Sequence, residues 1–118
     1  MSRQISIGTN LSTDTKTTLY TVPDRVSGIW TMFYAFNSGA NNKYLNLYWY
    51  DKSNDREISI LNGYTLNAKT YILFNGAEVV LEQGDEIRVQ LETGAAMSVI
   101  ATLTIAPELS VKKNSNGV

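Results

Sequence analysis

The side chains that most often do chemistry in proteins are missing from this sequence. The chain of 118 residues contains neither histidine nor cysteine. The usual zinc ligands, the cysteine nucleophile and the commonest general acid or base near neutral pH are therefore all absent. Four carboxylates lie close together in sequence, and paired carboxylates can hydrolyse glycosidic bonds. These four are Glu78, Glu82, Asp85 and Glu86.

The residues around those carboxylates favour a structural interpretation. Gln83-Gly84-Asp85 is typical of a tight turn in which glycine adopts a positive φ and the aspartate accepts backbone hydrogen bonds. The neighbouring glutamates then lie on a solvated rim, where nothing raises the pKa of one of them as a general acid requires. The serines have no base to activate them. We therefore predict no catalytic residue and no enzymatic activity.

One loop is rich in oxygen ligands. Asp51, Ser53, Asn54 and Asp55 could in principle bind calcium, but the loop lacks the glycine and the distant bidentate glutamate of an EF-hand. Hairpin turn chemistry explains it more simply. The glycines form neither a GxGxxG nor a Walker pattern, so we predict neither a metal nor a cofactor.

Charge and hydropathy exclude two classes of partner. Ten basic residues against eleven acidic ones give a formal net charge of −1, and no basic block exceeds Lys112-Lys113, so no nucleic-acid partner is expected. No window approaches the ~18 continuous apolar residues of a membrane span, and the first residues show no signal-peptide pattern. We expect no membrane association, and residence in a cytoplasm or in a particle assembled there.

Short apolar or alternating runs, each bounded by turn residues, follow one another along the chain. Their spacing of roughly 8–12 residues is typical of a sandwich or barrel, and no stretch has a helical period. Asn62-Gly63 and Asn75-Gly76 are predicted turns. We predict an all-β fold: a single antiparallel β-sandwich, jelly-roll-like or Greek-key, with extended arms. About nine strands are expected, at residues 3–8, 16–22, 27–37, 43–51, 56–61, 70–74, 78–81, 86–92 and 98–105.

The predicted organisation is one domain with distinct ends. Residues 1–15 are an N-terminal strand or arm, residues 16–105 form the β-sandwich domain, and residues 106–118 are a polar C-terminal arm. The region from 9 to 18 is rich in Thr and Ser, which is why that end is read as an arm.

Aromatic residues are concentrated in the third and fourth predicted strands. In the third, Ile29, Phe33 and Ala35 are expected on one face and Trp30, Met32, Tyr34 and Phe36 on the other. If the two strands pair as a hairpin, one face forms the core and the other needs a partner. That partner is the chain's own arms, a neighbouring subunit or a sugar ring on which the aromatics stack. The predicted interface residues are Trp30, Tyr34, Phe36, Tyr44, Tyr48 and Tyr50.

Several short motifs between residues 17 and 105 resemble those of small tailed-phage virion proteins. In that family an LYTVP-like opening, an N-S/T-G loop, a "YLL or YIL" strand and an LE-x-GD-x-I turn recur on a β-sandwich. This chain has Asp24-Arg25 where many members have Ala-Gly or Pro-Gly. The matching segments are Thr18-Leu19-Tyr20-Thr21-Val22-Pro23, Asn37-Ser38-Gly39, Leu45-Asn46-Leu47-Tyr48-Trp49-Tyr50, Tyr71-Ile72-Leu73 and Val80-Leu81-Glu82-Gln83-Gly84-Asp85-Glu86-Ile87.

The resemblance implies a structural role in a phage virion, assembled in the host cytoplasm. The implied protein is a capsid decoration or cement protein that binds the major capsid protein or other virion subunits and stabilises the shell. A homo-oligomer is implied, with a trimer favoured. The alternative is a carbohydrate-binding module of a tail, fibre or head fibre that recognises host glycans. Neither role needs an active site.

Overall fold

The computed structural model describes residues 2–108, except for the side chains of residues 76–78. Within this range the chain forms eight strands and one 3-10 turn at Lys52–Asn54. None of the described residues belongs to a helix long and apolar enough to cross a membrane. The strands are β1 (Arg3–Leu11), β2 (Thr17–Thr21), β3 (Val26–Asn37), β4 (Lys43–Asp51), β5 (Arg56–Leu66), β6 (Tyr71–Leu81), β7 (Glu86–Leu91) and β8 (Met97–Pro107).

The strands form two four-stranded antiparallel sheets. Sheet A has the order β1-β8-β3-β6, and sheet B has the order β2-β7-β4-β5. Four pairings join strands that are symmetric about the middle of the chain: β1 with β8, β2 with β7, β3 with β6 and β4 with β5. This is a long hairpin ribbon, turned at the β4–β5 connection and wound into two sheets, which is the jelly roll. The predicted β-sandwich is confirmed, and its topology is the jelly roll.

One hydrophobic core fills the space between the sheets. Alternate residues of β7 and β8 point inward and are buried, as the period of two in a strand requires, while the residues between them are half-buried. Side chains of both sheets contribute to the same cluster. Its fully buried large members are Phe33, Leu45, Leu47, Leu81, Ile87, Val89, Met97, Val99 and Leu103.

A β-bulge in β3 changes which residues face the core. The register of β3 against β8 shifts between Trp30 and Met32, so Thr31 is an extra residue relative to β8. The register against β6 shifts at the same place. Trp30 therefore points inward, where it is 4% exposed, and Ile29 points outward. The predicted faces of Ile29 and Trp30 are both wrong, because strict alternation was assumed across the bulge.

Two predicted turns lie inside continuous strands. β5 runs through Asn62-Gly63, where the register against β4 shifts between Leu45 and Leu47. Gly63 has a positive φ of 69°, and its amide donates to Asn46 Oδ1 at 2.6 Å. The positive φ of glycine, which is typical of an Asn-Gly hairpin turn, is part of a β-bulge here. β6 likewise continues through Asn75-Gly76, so the chain has eight strands where about nine were expected.

The N-terminal segment belongs to the sandwich. β1 pairs with β8 without interruption from Arg3 to Leu11, and its inward residues Ile5, Ile7 and Leu11 pack against the core. Residues 9–11, assigned by composition to an arm, are therefore part of sheet A. At the other end β8 extends to Pro107, and residues 109–118 of the predicted C-terminal arm lie outside the described residues.

Replacing a core leucine should destabilise this fold far more than replacing a surface one. Leu47 is fully buried and Leu73 is half exposed. Leu47→Ala should lower the free energy of unfolding by about 2–5 kcal/mol, because it removes apolar contacts and leaves a cavity. Leu73→Ala should cost less than about 1 kcal/mol. Urea unfolding followed by tryptophan fluorescence measures both, and equal losses would contradict the assignment of the core.

Candidate functional site

The two aromatic strands do not pair as a hairpin. β3 lies in sheet A and β4 lies in sheet B, because the chain crosses from one sheet to the other between them. Tyr34 and Phe36 therefore lie on the outer face of sheet A. The three predicted tyrosines of β4 lie on the outer face of sheet B, on the opposite side of the molecule. Trp30 belongs to neither surface, so the predicted six-residue interface is divided.

Arg88 organises the outer face of sheet B. Its guanidinium donates to Glu86 at 2.8 Å and to Glu57 at 3.1 Å, and it lies 3.9 Å from the centre of the Tyr50 ring. The Tyr50 hydroxyl donates to Asp55, which raises the pKa of that tyrosine. This side of β4 is thus covered by charged side chains of the same chain.

Lys16 completes the same network from outside the sheet. Its ammonium donates to Glu57 at 2.7 Å and sits 4.3 Å from the centre of the Tyr48 ring. Burial favours a higher pKa for Glu57, but the hydrogen bonds from Lys16 and Arg88 outweigh it and lower that pKa. Tyr48 and Tyr50 therefore already have partners within the chain, and only Tyr44 among the three is largely exposed.

The outer face of sheet A is different, because apolar side chains cover its β3–β6 half. Three of them are 62% (Tyr71), 50% (Leu73) and 65% (Val80) exposed. The register places neighbours side by side, with Phe36 opposite Tyr71, Tyr34 opposite Leu73 and Ile29 opposite Val80. We call this surface the apolar strip. It consists of Ile29, Met32, Tyr34, Phe36, Tyr71, Leu73, Val80 and Ile100.

The other half of this face is polar but carries no charge. Ser6 and Thr102 share a hydrogen bond of 2.8 Å, and Ser98 bonds to Asn10 at 2.6 Å. In the register, Gln4 and Thr104 complete the outward positions of β1 and β8. The outward side chains that the structure describes, from the row Asn10-Ser98-Phe36-Tyr71 to the row Gln4-Thr104-Ile29-Val80, carry no charge, and the Glu78 side chain of β6 is outside the described residues. Such a surface favours an uncharged partner, since it offers no ion pairs.

Two of the carboxylates considered for hydrolysis, Asp85 and Glu86, have partners within the chain. Asp85 is buried and accepts three hydrogen bonds, from Trp49 Nε1 at 3.2 Å and from the amides of Lys52 and Glu82 at 3.0 Å each. Glu86 lies on the outer face of sheet B beside Arg88. The predicted backbone hydrogen bonds of Asp85 are present, and they also join this turn to the end of β4, which was not predicted. The Glu78 side chain lies outside the described residues.

The oxygen-rich loop after β4 is held by its own hydrogen bonds. The Asp51 carboxylate accepts from Asn54 Nδ2 at 2.8 Å and from Ser53 Oγ at 3.1 Å. These bonds, that of Asn54 first, lower the pKa of Asp51. Among the side chains described in residues 2–75 and 79–108, no three of the metal-ligating His, Cys, Asp and Glu types converge.

Two of the phage-like motifs meet at one end of the sandwich. The Val22 amide donates to the Asp85 carbonyl, and the Gly84 amide donates to the Val22 carbonyl, both at 2.9 Å. Gly84 has a φ of 86°, and a Cβ there would lie 2.8 Å from Lys52 Cγ, so glycine is required. Arg25 also has a positive φ, of 62°.

Asn37 closes the opposite end, a role that sequence reasoning missed. Its side chain is buried, donates to the carbonyls of Asn41 and Leu66 at 2.9 and 3.0 Å, and accepts from the Gly39 amide at 3.0 Å. It therefore joins the β3–β4 loop to the end of β5. The Asn-Ser-Gly motif signals a loop, but it does not show that the first side chain points inward. The motif residues thus support the fold.

The fold resembles that of chains in solved viral particles. A chain in the crystal structure of the T13 particle of IBDV matches with a TM-score of 0.60 and 12% identity, over 92% of this chain and 32% of that chain. A chain of the infectious bursal disease virus Gx strain gives 0.51 and 14%, over 89% and 32%. Our chain thus spans about a third of each, and at this identity the likeness shows the fold alone. No protein family and no curated protein matches the sequence.

Removing the Asp85 carboxylate should destabilise the fold. Asp85→Ala leaves three donors without their partner, and we expect a loss of roughly 3 kcal/mol in the free energy of unfolding. Glu82→Ala, at an exposed neighbour, should change it by less than about 0.5 kcal/mol. Urea unfolding compares the two variants. Equal stability of Asp85→Ala and the wild type would contradict a structural role.

Stability should depend on pH through Arg88. Hydrogen bonds from Lys16 and Arg88 lower the pKa of Glu57, and hydrogen bonds from Arg88 and Thr18 lower that of Glu86, in both cases against the effect of burial. The stabilisation of the folded state by these two ionised carboxylates is therefore complete above the ordinary glutamate pKa of about 4.3. It is lost as pH falls through the lower pKa of the folded state. Arg88→Met should be less stable than the wild type near neutral pH, and the difference should shrink in acid.

Urea unfolding at a series of pH values measures this dependence. Arg56→Met is the control, because that side chain is mostly exposed and lies 3.5 Å from Asp51, where a surface pair contributes little. If the difference in free energy of unfolding between Arg88→Met and the wild type stays constant as the pH is lowered into the acid range, the charge network does not set the pH dependence.

Proposed function

We propose that this chain is a non-enzymatic phage virion structural protein, a capsid decoration or cement protein that binds the major capsid protein and stabilises the shell. The observation that carries the proposal is the apolar strip. It is an uncharged surface with side chains more than half exposed, and such patches mark protein contacts on soluble domains. In this role the strip is buried against another virion subunit.

The two faces of the sandwich support an orientation. The outer face of sheet B satisfies its own charges and covers its own tyrosines, so it suits contact with water. The described outward side chains of sheet A between those rows carry no charge, and they leave apolar area open. Burying apolar area contributes roughly 25 cal/mol per Å², so association through sheet A is favourable. We place sheet A toward the shell and sheet B toward solvent.

Fold and sequence motifs add support of a weaker kind. The jelly roll hosts many functions, and chains of a viral particle share it. The phage-like motifs lie at the turns that hold the two ends of the sandwich. They support a related fold, and through the resemblance a virion location, assembly in the host cytoplasm and a homo-oligomer, of which the resemblance favours a trimer. The lack of cysteine suits assembly in a reducing compartment.

A glycan-binding module of a tail or fibre is the second candidate. The Tyr34 and Tyr71 rings lie 5.6 Å apart with planes 34° from parallel, and they form an aromatic platform at the surface. Uncharged hydroxyl and amide groups lie on the same face. Sugar rings stack on such aromatics, so the same strip serves either role. Glycan binding then requires Tyr71 but no shell.

Shell binding should depend on the apolar strip. Tyr71→Ser should weaken binding to shells that lack this protein by at least about tenfold, because it removes an exposed aromatic anchor. Tyr64→Ser is the matched control, since Tyr64 is 42% exposed on the edge strand of sheet B. Cosedimentation of purified protein with shells measures both affinities.

Each outcome decides between the candidates. Loss of shell binding by Tyr71→Ser alone supports the decoration role. Failure of the wild type to bind any shell, together with Tyr71-dependent binding on a glycan array, supports the glycan module. Equal binding by both variants and the wild type would show that the strip is not the contact surface.

A further inference from the structure

One edge of sheet A is unusually open. β6 is the last strand of its sheet, and among the described strands only β3 makes an extensive contact with it. Its first five residues, 71–75, pair with β3 in unbroken register from Phe36 to Met32. We call residues 71–75 the open edge. Unpaired N–H and C=O groups along such a strand are a template for another strand.

The open edge lacks the devices that protect other edges. Natural proteins guard edge strands with charges, proline, bulges or short length. β2 has only five residues in all, and β5 begins with Arg56 and Glu57 and is interrupted by a bulge. On β1 the outward side chains are polar and exposed. Residues 71–75 read Tyr-Ile-Leu-Phe-Asn and contain no charge, proline or register shift.

We propose that the open edge pairs with the same edge of a second copy of this chain. The two β6 strands run antiparallel about a twofold axis that passes through Leu73, the middle of the segment. A twofold contact is made by the same surface on both copies, so the segment must be compatible with itself. It is, because no like charges meet.

The geometry restricts the possible registers. A twofold axis perpendicular to the sheet keeps the outer face of both copies on the same side. Two residues that face each other across the axis then point to the same face of the sheet, so their numbers are both odd or both even. The axis therefore passes through a residue and not between two residues. With the axis at Leu73, Tyr71 faces the partner's Asn75, and Ile72 faces the partner's Phe74. The two sheets A become one eight-stranded sheet.

This pairing also brings the two apolar strips together. Each strip includes outward residues of β6, so in the dimer the two strips form one continuous surface on one side of the joined sheet. The pairing itself does not depend on the proposed function; only the use of the doubled strip against a shell rests on it. The twofold contact predicts a dimer in place of the trimer that the resemblance favours.

The contact should be weak for the free protein. Five residues of strand span roughly 17 Å, which is small beside a standard interface of about 800 Å² per partner. We therefore expect a monomer–dimer equilibrium that depends on concentration. Neighbouring copies held on a particle would meet at high effective concentration, where a weak contact is sufficient.

Disulfide trapping tests the register, and the absence of native cysteine gives a clean background. Facing Cα atoms in an antiparallel pair are about 4.5–5.5 Å apart, within the range that a disulfide bridges. Leu73→Cys should therefore form a covalent dimer on mild oxidation. Tyr71→Cys alone should not, because its copies would be roughly 13 Å apart, but Tyr71→Cys mixed with Asn75→Cys should.

Tyr64→Cys is the control for random collision, since Tyr64 is exposed on the edge strand of sheet B. Crosslinking of Leu73→Cys at least tenfold faster than of Tyr64→Cys, with the mixed pair also trapped, supports the proposal. Equal rates for all variants overturn it, and so does trapping of Tyr71→Cys with itself.

Sedimentation velocity over a wide concentration range provides the second measurement. The wild type should dimerise. Leu73→Lys places a charge at the centre of the open edge, so it should raise the dissociation constant of the dimer at least tenfold while leaving the far-ultraviolet circular dichroism spectrum unchanged. A wild type that stays monomeric at every concentration, or a trimer indifferent to Leu73→Lys, overturns the pairing. A monomer that still binds shells through Tyr71 would overturn this pairing and leave the proposed function standing.

Discussion

The bulge at Thr31 is the constraint on which both surfaces of sheet A depend. β3 lies between β8 and β6 in sheet A. Its inward residues have even numbers up to Trp30 and odd numbers from Phe33 onward. The extra residue makes this possible, and the carbonyl of Met32 accepts the indole N–H of Trp30 at 3.0 Å. A buried indole needs such a partner. The bulge therefore places the largest side chain of β3 in the core and satisfies its only polar group.

The same bulge determines what is left outside. Because the bulge exchanges the inward and outward positions of β3, Ile29 lies on the same outer face as Met32, Tyr34 and Phe36. These four residues are not evenly spaced in the sequence. Three of them meet apolar outward residues of β6, which are Tyr71, Leu73 and Val80, while Met32 meets Asn75, and the resulting strip has no charged member. Sheet B reaches the opposite outcome, since its outward residues include Glu86 and Arg88, and Lys16 and Glu57 reach them. One face is closed by ion pairs within the chain, whereas the other is open to a partner.

Sequence reasoning succeeded where side chains follow a simple period and failed where backbone irregularity intervenes. β7 and β8 alternate strictly, and the inward residues predicted for them are buried. Asp85 was recognised as a turn residue because Gln-Gly-Asp has one simple conformation. Ile29 and Trp30 were misplaced because a bulge has no reliable signal in a single sequence. Asn62-Gly63 was misread because a positive φ suits a bulge as well as a hairpin.

The aromatic surface was harder still, because it depends on which sheet each strand joins. Tyr34 and Tyr48 belong to consecutive strands, and consecutive strands often pair. In a jelly roll β3 and β4 lie in opposite sheets, so residues close in sequence end on opposite sides. The exposed residues of β6 were missed because Tyr71 and Leu73 look like ordinary strand residues until β6 is known to be an edge.

Cryo-electron microscopy of phage shells incubated with this protein tests the proposed contact most directly. The account predicts density for another protein subunit against the outer face of sheet A, covering Tyr71, Leu73 and Val80, with the Arg88 network of sheet B facing solvent. A reconstruction in which the apolar strip faces solvent, or in which sheet B makes the contact, would contradict it.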